Sequence, residues 1–125
     1  MKTITNDISK VLIAPIEKFE EEGGVCAKVG DKQIAIFYFK SREEWFACDN
    51  ACPHTGEMAL SKGMIGDSKG EPKVTCPIHK RSFSLHNGEC MTEENLKVNI
   101  YSVIIQDGMV YLDLNLNNKI PENKE

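Results

Sequence analysis

Two short segments of this 125-residue chain each combine one cysteine with one histidine. Cys52 and His54 are separated by one residue, Cys76 and His79 by two, and a proline follows each cysteine. Thiolate and imidazole groups are the ligands that zinc sites and iron–sulfur centres use. A single cysteine or histidine is more often a packed or surface residue. Two pairs of matching composition instead indicate a metal centre.

The order of the ligand types distinguishes two kinds of metal centre. A zinc finger pairs cysteine with cysteine and histidine with histidine, at gaps of roughly two to four residues. Here each segment offers one of each, and Cys-x-His is a tight spacing for two ligands of one ion. This arrangement suits a binuclear centre in which one iron takes both cysteines and the other takes both histidines, as in a Rieske [2Fe-2S] site. A zinc-bound or metal-free structural module is the non-redox alternative.

Short apolar runs separated by Gly, Asp and Asn predict a mostly β chain around these segments. Two pairs of these runs each meet at a glycine-containing turn, which is typical of β-hairpins. The predicted elements are strands in KVLIAPI, EWFACD, KVTC and RSFSL, a hairpin over residues 23–39 that turns at 30–31, and a hairpin in NIYSVIIQDGMVYLDL that turns at 107–108.

The two Cys/His pairs lie on loops between these strands, in a segment over residues 45–92 that is rich in Gly, Pro and Cys. The predicted fold class is all-β, with an antiparallel β-sandwich base and an inserted small cluster-binding lobe formed by that segment. The chain length fits one domain, which we place at residues 1–118, followed by a polar C-terminal tail at 119–125.

Composition and charge narrow the classes of function. Apolar residues make up 41% and charged residues 27%, as in globular proteins, and the net charge of -4 argues against a general nucleic-acid binder. The N-terminal residues lack the apolar run of a signal peptide, and no stretch approaches the ~20 apolar residues of a membrane span. We therefore expect a cytoplasmic protein, whose five cysteines are more consistent with metal ligands and free thiols than with disulfides.

The sequence indicates a functional role less clearly for the remaining cysteines and for the basic residues of the second segment than for the two Cys/His pairs. Cys26 and Cys48 lie in strand-like runs and are predicted to pack in the core, whereas Cys90 follows a turn and is predicted to be partly exposed. We assign none of the three as a ligand. Lys80 and Arg81 could form a basic rim where a partner docks, with a solvated charged pair as the equal alternative.

The two segments resemble the ligand boxes of the Rieske family. Gly56 and Leu60 follow the first pair and Phe83 follows the second, which matches the family's Cys-x-His-x-Gly and Cys-x2-His boxes in order and spacing. The resemblance implies a Rieske-type iron–sulfur protein (ISP) domain with a [2Fe-2S] cluster.

Carried over residue by residue, the resemblance implies that Cys52 and Cys76 bind one iron of the cluster and that His54 and His79 bind the other. The chain offers no nucleophile–base pair, Gly-rich phosphate loop or dinucleotide fingerprint. No catalytic residue is therefore assigned, and electron transfer is the expected activity.

Over residues 11–112 the chain is similar to the small subunit of assimilatory NAD(P)H-dependent nitrite reductase, most distinctively in GEMALSKGMIGDSKGEPKVTCPIHKRSFSL. In that family a large subunit carries flavin, siroheme and a [4Fe-4S] cluster and reduces nitrite to ammonium during nitrogen assimilation. Many of its small subunits have lost the Cys/His ligands, whereas this chain keeps all four. The resemblance implies an oxidoreductase subunit with no substrate-reducing centre of its own.

A free Rieske ferredoxin that supplies electrons to a ring-hydroxylating oxygenase is the main alternative. The oxygenase component itself is excluded, because it also needs a mononuclear iron site with a 2-His-1-carboxylate triad. Two of the three histidines in this chain already belong to the Cys/His pairs.

Overall fold

The computed structural model describes residues 10–19, 23–78 and 80–114. His79 and the predicted tail at 119–125 lie outside these ranges. Within them the chain is built mainly from β-strands. The strands are β1 (Lys10–Pro15), β2 (Gly23–Val29), β3 (Lys32–Phe39), β4 (Glu44–Asp49), β5 (Met64–Ser68), β6 (Glu71–Thr75), β7 (Ser82–Ser84), β8 (Ile100–Gln106) and β9 (Met109–Asp113).

Helical structure in the described ranges is limited to short 3₁₀ segments at Ile16–Lys18, Lys40–Arg42 and Leu60–Lys62. None of the described helical segments has the length and apolar composition needed to cross a membrane.

The strands form two antiparallel sheets, which confirms the predicted all-β class. The larger sheet has the order β1-β9-β8-β4-β3-β2, and the smaller has the order β5-β6-β7. The two predicted hairpins are β2–β3 and β8–β9. At their turns Gly30 and Gly108 have φ angles of 62° and 76°, a left-handed conformation that glycine adopts without steric cost.

The larger sheet curls over itself to form the base of the molecule. Its two edge strands are β1 and β2, yet Ile13 of β1 and Val25 of β2 pack against the same buried cluster. That cluster also contains Ile36 of β3 and Leu112 of β9. Side chains from opposite edges can share one core only if the sheet bends round to bring its edges together. The predicted sandwich-like base is therefore confirmed.

Strand β3 is covered on both faces. Ile34 and Ile36 belong to the base core, whereas Ala35 and Phe37 belong to a second core on the other side of the strand, and all four are fully buried. Successive side chains of a strand point to opposite faces. The nearly continuous apolar run IAIFYF is therefore what a doubly covered strand requires.

The second core joins the base to the lobe that carries the two Cys/His segments. Phe37 of β3 and Cys48 of β4 pack against Leu60, Val74 and Phe83 of the lobe. All five are fully buried. The lobe is thus packed directly on the outer face of the central strands.

Arg42 makes a polar connection between the base and the lobe. Its Nη1 donates to Asp67 at 3.1 Å and its Nη2 donates to the carbonyl of Gly70 at 3.1 Å, both next to the turn of the β5–β6 hairpin. Its Nε donates to Glu44 at 2.9 Å. This hairpin is therefore tied to the end of β3 as well as packed on the second core.

The cysteines outside the two pairs differ in their burial. Cys48 is buried, and Cys90 is partly exposed, as predicted. The prediction that Cys26 packs in the core is wrong, because its side chain is exposed. Cys26 lies on edge strand β2 between Val25 and Ala27, which pack against the base core, so the alternation of the strand turns Cys26 to the other face.

Candidate metal centre

The two Cys/His segments form loops with the same hydrogen-bond pattern. In each loop the cysteine N–H donates to the carbonyl five residues later, and the cysteine carbonyl accepts from the amide four residues later. These bonds join Cys52 to Glu57 and Gly56 in the first loop, and Cys76 to Arg81 and Lys80 in the second, at N···O distances of 2.6–2.9 Å.

A left-handed residue reverses the chain at the same position of each loop. Gly56 has a φ angle of 84° and Lys80 has a φ angle of 61°. Glycine pays little for this conformation, whereas lysine adopts it only where the surrounding hydrogen bonds hold it there. The two loops are therefore structural equivalents, although their histidines occupy different offsets from the cysteine.

The two thiols meet in the interior of the lobe. Cys52 and Cys76 are both fully buried, and the Cys76 thiol contacts the sulfur of Cys52. Burial raises the pKa of the Cys52 thiol, the neighbouring Cys76 thiol raises it further, and the amides of His54 and Thr55 donate to the sulfur and oppose that rise. A bound cation would supply the charge that thiolates need at this depth.

His54 is oriented by a contact at the outer edge of its ring. Its Nε2 lies 3.2 Å from Nη2 of Arg81, which is part of the second loop. Its Nδ1 is buried. Arg81 is itself held by Glu93, with Nε–Oε1 and Nη2–Oε2 distances of 3.0 and 3.4 Å. The buried side of the ring thus presents Nδ1, while Nε2 faces the guanidinium.

The described residues supply three of the four predicted ligands, since His79 lies outside them. Cys52 and Cys76 are brought into contact, and His54 lies on the same loop as Cys52. In this part of the chain no three His, Cys, Asp or Glu side chains converge as they would around a single ion.

Asn50 holds the first loop on the base, a role that no sequence pattern indicated. Its buried side chain accepts from the amide of Ser61 at 2.7 Å and donates to Oε1 of Gln33 at 3.1 Å. Its backbone carbonyl accepts from the amides of Ala59 and Leu60 at 3.1 Å each. Both ends of the loop are thereby fixed to the β2–β3 hairpin.

Substituting Asn50 by alanine is expected to lower the free energy of unfolding by about 1–3 kcal/mol, because the Ser61 amide and the Gln33 side chain lose a partner in a buried setting. Chemical denaturation measures the change. Asn99→Ala is the matched control, since the Asn99 side chain is exposed and makes one bond to Asp49, and it should cost less than about 1 kcal/mol. Equal losses for the two variants would contradict the role given to Asn50.

The second loop is held by the small sheet and by a close approach of the backbone. Thr75 and Ser82, which pair across β6 and β7 at the base of the loop, join their hydroxyl groups at 2.8 Å. A Cβ atom at Gly63 would lie 2.3 Å from the carbonyl oxygen of Thr75, so only glycine allows the segment after the first loop to pass this close. The two loops are therefore fixed relative to each other.

Comparisons with known proteins identify the domain. A family model described as a Rieske-like [2Fe-2S] domain matches residues 10–113. The nitrite reductase (NADH) small subunit of Escherichia coli K12 is 38% identical over 100 residues, which cover 80% of this chain and 93% of that protein.

Solved structures agree with the sequence match. A putative NADH-dependent nitrite reductase small subunit from Mycobacterium tuberculosis superposes with a TM-score of 0.77 at 25% identity, over 82% of this chain and 92% of that one. The ferredoxin of carbazole 1,9a-dioxygenase from Nocardioides aromaticivorans gives a TM-score of 0.70 at 18% identity, over 83% of this chain and 96% of that one, which shows a shared fold alone.

The predicted Rieske-type fold is therefore confirmed, and the family match supports the predicted [2Fe-2S] cofactor. The buried pair of thiols and the inward-facing Nδ1 of His54 are a donor set that suits such a cluster. The chain belongs to the Rieske-like [2Fe-2S] family and, within it, to the group of nitrite reductase small subunits.

Proposed function

We propose that this chain is the electron-transfer small subunit of an NAD(P)H-dependent nitrite reductase and that it holds a Rieske [2Fe-2S] cluster. The contact between two buried thiols, at the same position of two equivalent loops, carries the proposal. A purely structural lobe would have no need of paired buried thiols in contact. When bound, the cluster supplies one-electron redox chemistry at a higher potential than all-thiolate [2Fe-2S] centres.

The proposed ligands are Cys52 and Cys76 for one iron and His54 and His79 for the other. Burial of the two thiols keeps water from the sulfur side of the site. The amides of His54 and Thr55 donate to the Cys52 sulfur and so stabilise it as a thiolate. His54 is only half-buried, which supports docking of a redox partner on the side of the site where this ring lies.

The proposed partner is the large subunit of nitrite reductase, which in this family carries flavin, siroheme and a [4Fe-4S] cluster. The match to the E. coli small subunit spans 93% of that protein, so the likeness concerns the whole small subunit. We infer a cytoplasmic location, in which the free thiols of Cys26, Cys48 and Cys90 would stay reduced. We assign no nucleic-acid or membrane partner.

The alternative of a ferredoxin for a ring-hydroxylating oxygenase has less support. The ferredoxin of carbazole 1,9a-dioxygenase is 18% identical to this chain, so its similarity concerns the fold alone. The E. coli nitrite reductase small subunit is 38% identical in sequence. Fold alone does not determine which partner a Rieske protein serves.

Removing His54 is expected to stop electron transfer by the complex. We predict that His54→Ala lowers the rate of NAD(P)H-dependent nitrite reduction at least about tenfold when the subunit is reconstituted with its large subunit, because a cluster ligand is lost. His79→Ala should do the same. His86→Ala is the control, because His86 is exposed on a turn and contacts the ring of Phe46, and it should leave the rate unchanged.

Assembly must be measured on the same samples. If His54→Ala still forms the complex by size-exclusion chromatography but turns over at the wild-type rate, the relay is wrong and the subunit is a structural component. If His54→Ala loses both assembly and turnover, His79→Ala decides between the two readings, because it tests the other proposed histidine ligand, on the second loop.

A further inference from the structure

Lys80 has a backbone conformation that lysine rarely adopts. Its φ angle of 61° lies in the left-handed region, and its amide donates to the carbonyl of Cys76 at 2.9 Å to close the second loop. In the first loop Gly56 occupies the equivalent position, with a φ angle of 84°. Glycine adopts this conformation without steric cost, whereas a residue with a Cβ atom is strained in it. The turn by itself therefore favours glycine, and strained residues of this kind concentrate at functional sites.

The side chain of Lys80 is exposed next to the proposed cluster site, since its residue is hydrogen-bonded to Cys76. Arg81, the other cation on the described part of this loop, is paired with Glu93 at 3.0 Å. None of the ion pairs formed between described residues involves Lys80. Its ammonium group is therefore left to interact with solvent or with a partner protein.

The surface next to Lys80 combines an apolar side chain with separated charges. Ile78, two residues before Lys80, is 48% exposed although it is apolar. Glu57 of the first loop is also exposed, and it occupies the position that corresponds to Arg81. The first loop thus presents a carboxylate and the second loop an ammonium group. Charges of opposite sign on one docking surface speed the encounter with a complementary partner and fix its orientation.

We propose that the second loop is the docking surface for the large subunit and that Lys80 is its cationic contact, which binds an acidic patch of that subunit beside Ile78. This inference rests on the proposed function, since it takes the large subunit as the partner. It gives the strained, exposed lysine a role in docking and not in holding the fold. Because the interaction joins exposed charges, salt screens it.

Binding of the full-length chain to the large subunit, measured by surface plasmon resonance at low and at high salt, tests the charge. At low salt, Lys80→Gln should lower the association rate constant at least about threefold, and Lys80→Glu should lower it further. High salt should remove most of the difference from the wild type. Lys69→Gln is the matched control, because Lys69 is also exposed and left-handed, with a φ angle of 54°, but lies at the turn of the β5–β6 hairpin. It should bind at the wild-type rate.

Lys80→Gly separates docking from folding. Glycine relieves the left-handed strain and removes the charge, so the temperature of thermal unfolding should not fall, whereas the association rate constant should fall as in Lys80→Gln. Lys69→Gly should also keep its unfolding temperature, and it should associate at the wild-type rate. A lower unfolding temperature for Lys80→Gly combined with wild-type association would make the lysine a structural residue and overturn the proposal.

The binding data also distinguish failure of this inference from failure of the proposed function. If the wild type binds the large subunit and Lys80→Gln associates as fast as Lys69→Gln, the docking role of Lys80 is wrong and the proposed function stands. If the wild type does not bind the large subunit, the proposed function fails and this inference fails with it.

Discussion

Cys76→Ser is expected to abolish cluster binding. Iron should fall from about two atoms per chain to nearly none, and the visible absorption of the oxidised protein should disappear. Cys76 is fully buried in contact with Cys52, and a serine hydroxyl is a far poorer ligand for iron than a thiolate. The measurement is iron analysis of anaerobically purified protein together with its absorption spectrum.

The matched control for this substitution is Cys26→Ser. Cys26 is exposed on an edge strand and is not one of the proposed ligands, so this variant should keep full iron and the wild-type spectrum. Retention of two irons by Cys76→Ser would remove the basis of the ligand assignment. Loss of iron from both variants would indicate a general effect of thiol replacement on the protein and not a specific ligand.

Phe83→Ala is expected to cause the largest loss of stability, about 3–5 kcal/mol. The ring is fully buried in the core that joins the lobe to the base, and its strand pairs with Val74 on one side and bridges to Cys90 on the other. Removing the ring leaves a cavity in the core that also contains Cys52 and Cys76. A loss of this size is a large fraction of the ~5–15 kcal/mol that stabilises a typical domain.

The free energy of unfolding, measured by denaturant titration, checks this prediction. Met64→Ala is the control, because Met64 is a large apolar residue of the same lobe that is 74% exposed, and its truncation should change stability by no more than about 0.5 kcal/mol. A loss below about 1 kcal/mol for Phe83→Ala would contradict the packing described for the lobe.

The strands of the base could be predicted because local pattern and tertiary role agree there. The predicted strand EWFACD coincides with β4 at both ends. The turn residues of both hairpins lie at the predicted positions. Strand β5 (Met64–Ser68) was not predicted. Its sequence MIGDS contains Gly66 and Asp67, which are poor strand formers, and it is held as a strand by pairing with β6.

Residue types and spacing singled out the two Cys/His segments as candidate ligand loops, but they did not indicate the contacts that hold these loops. The hydrogen bond between Arg81 and His54 joins residues 27 positions apart, and that between Asn50 and Ser61 joins a strand end to a 3₁₀ segment. Such pairs depend on how the loops are folded together, and no local pattern encodes them. Cys26 shows the same limit, because an apolar run does not reveal which face of an edge strand is covered.

EPR spectroscopy of the dithionite-reduced, anaerobically purified protein tests the central claim most directly, with iron and zinc quantified on the same sample. The account predicts a rhombic signal whose average g-value lies below that of all-thiolate clusters, with about two irons per chain, which would establish histidine ligation. An EPR-silent sample that contains one zinc per chain, or no metal, would contradict it and would make this chain a structural subunit.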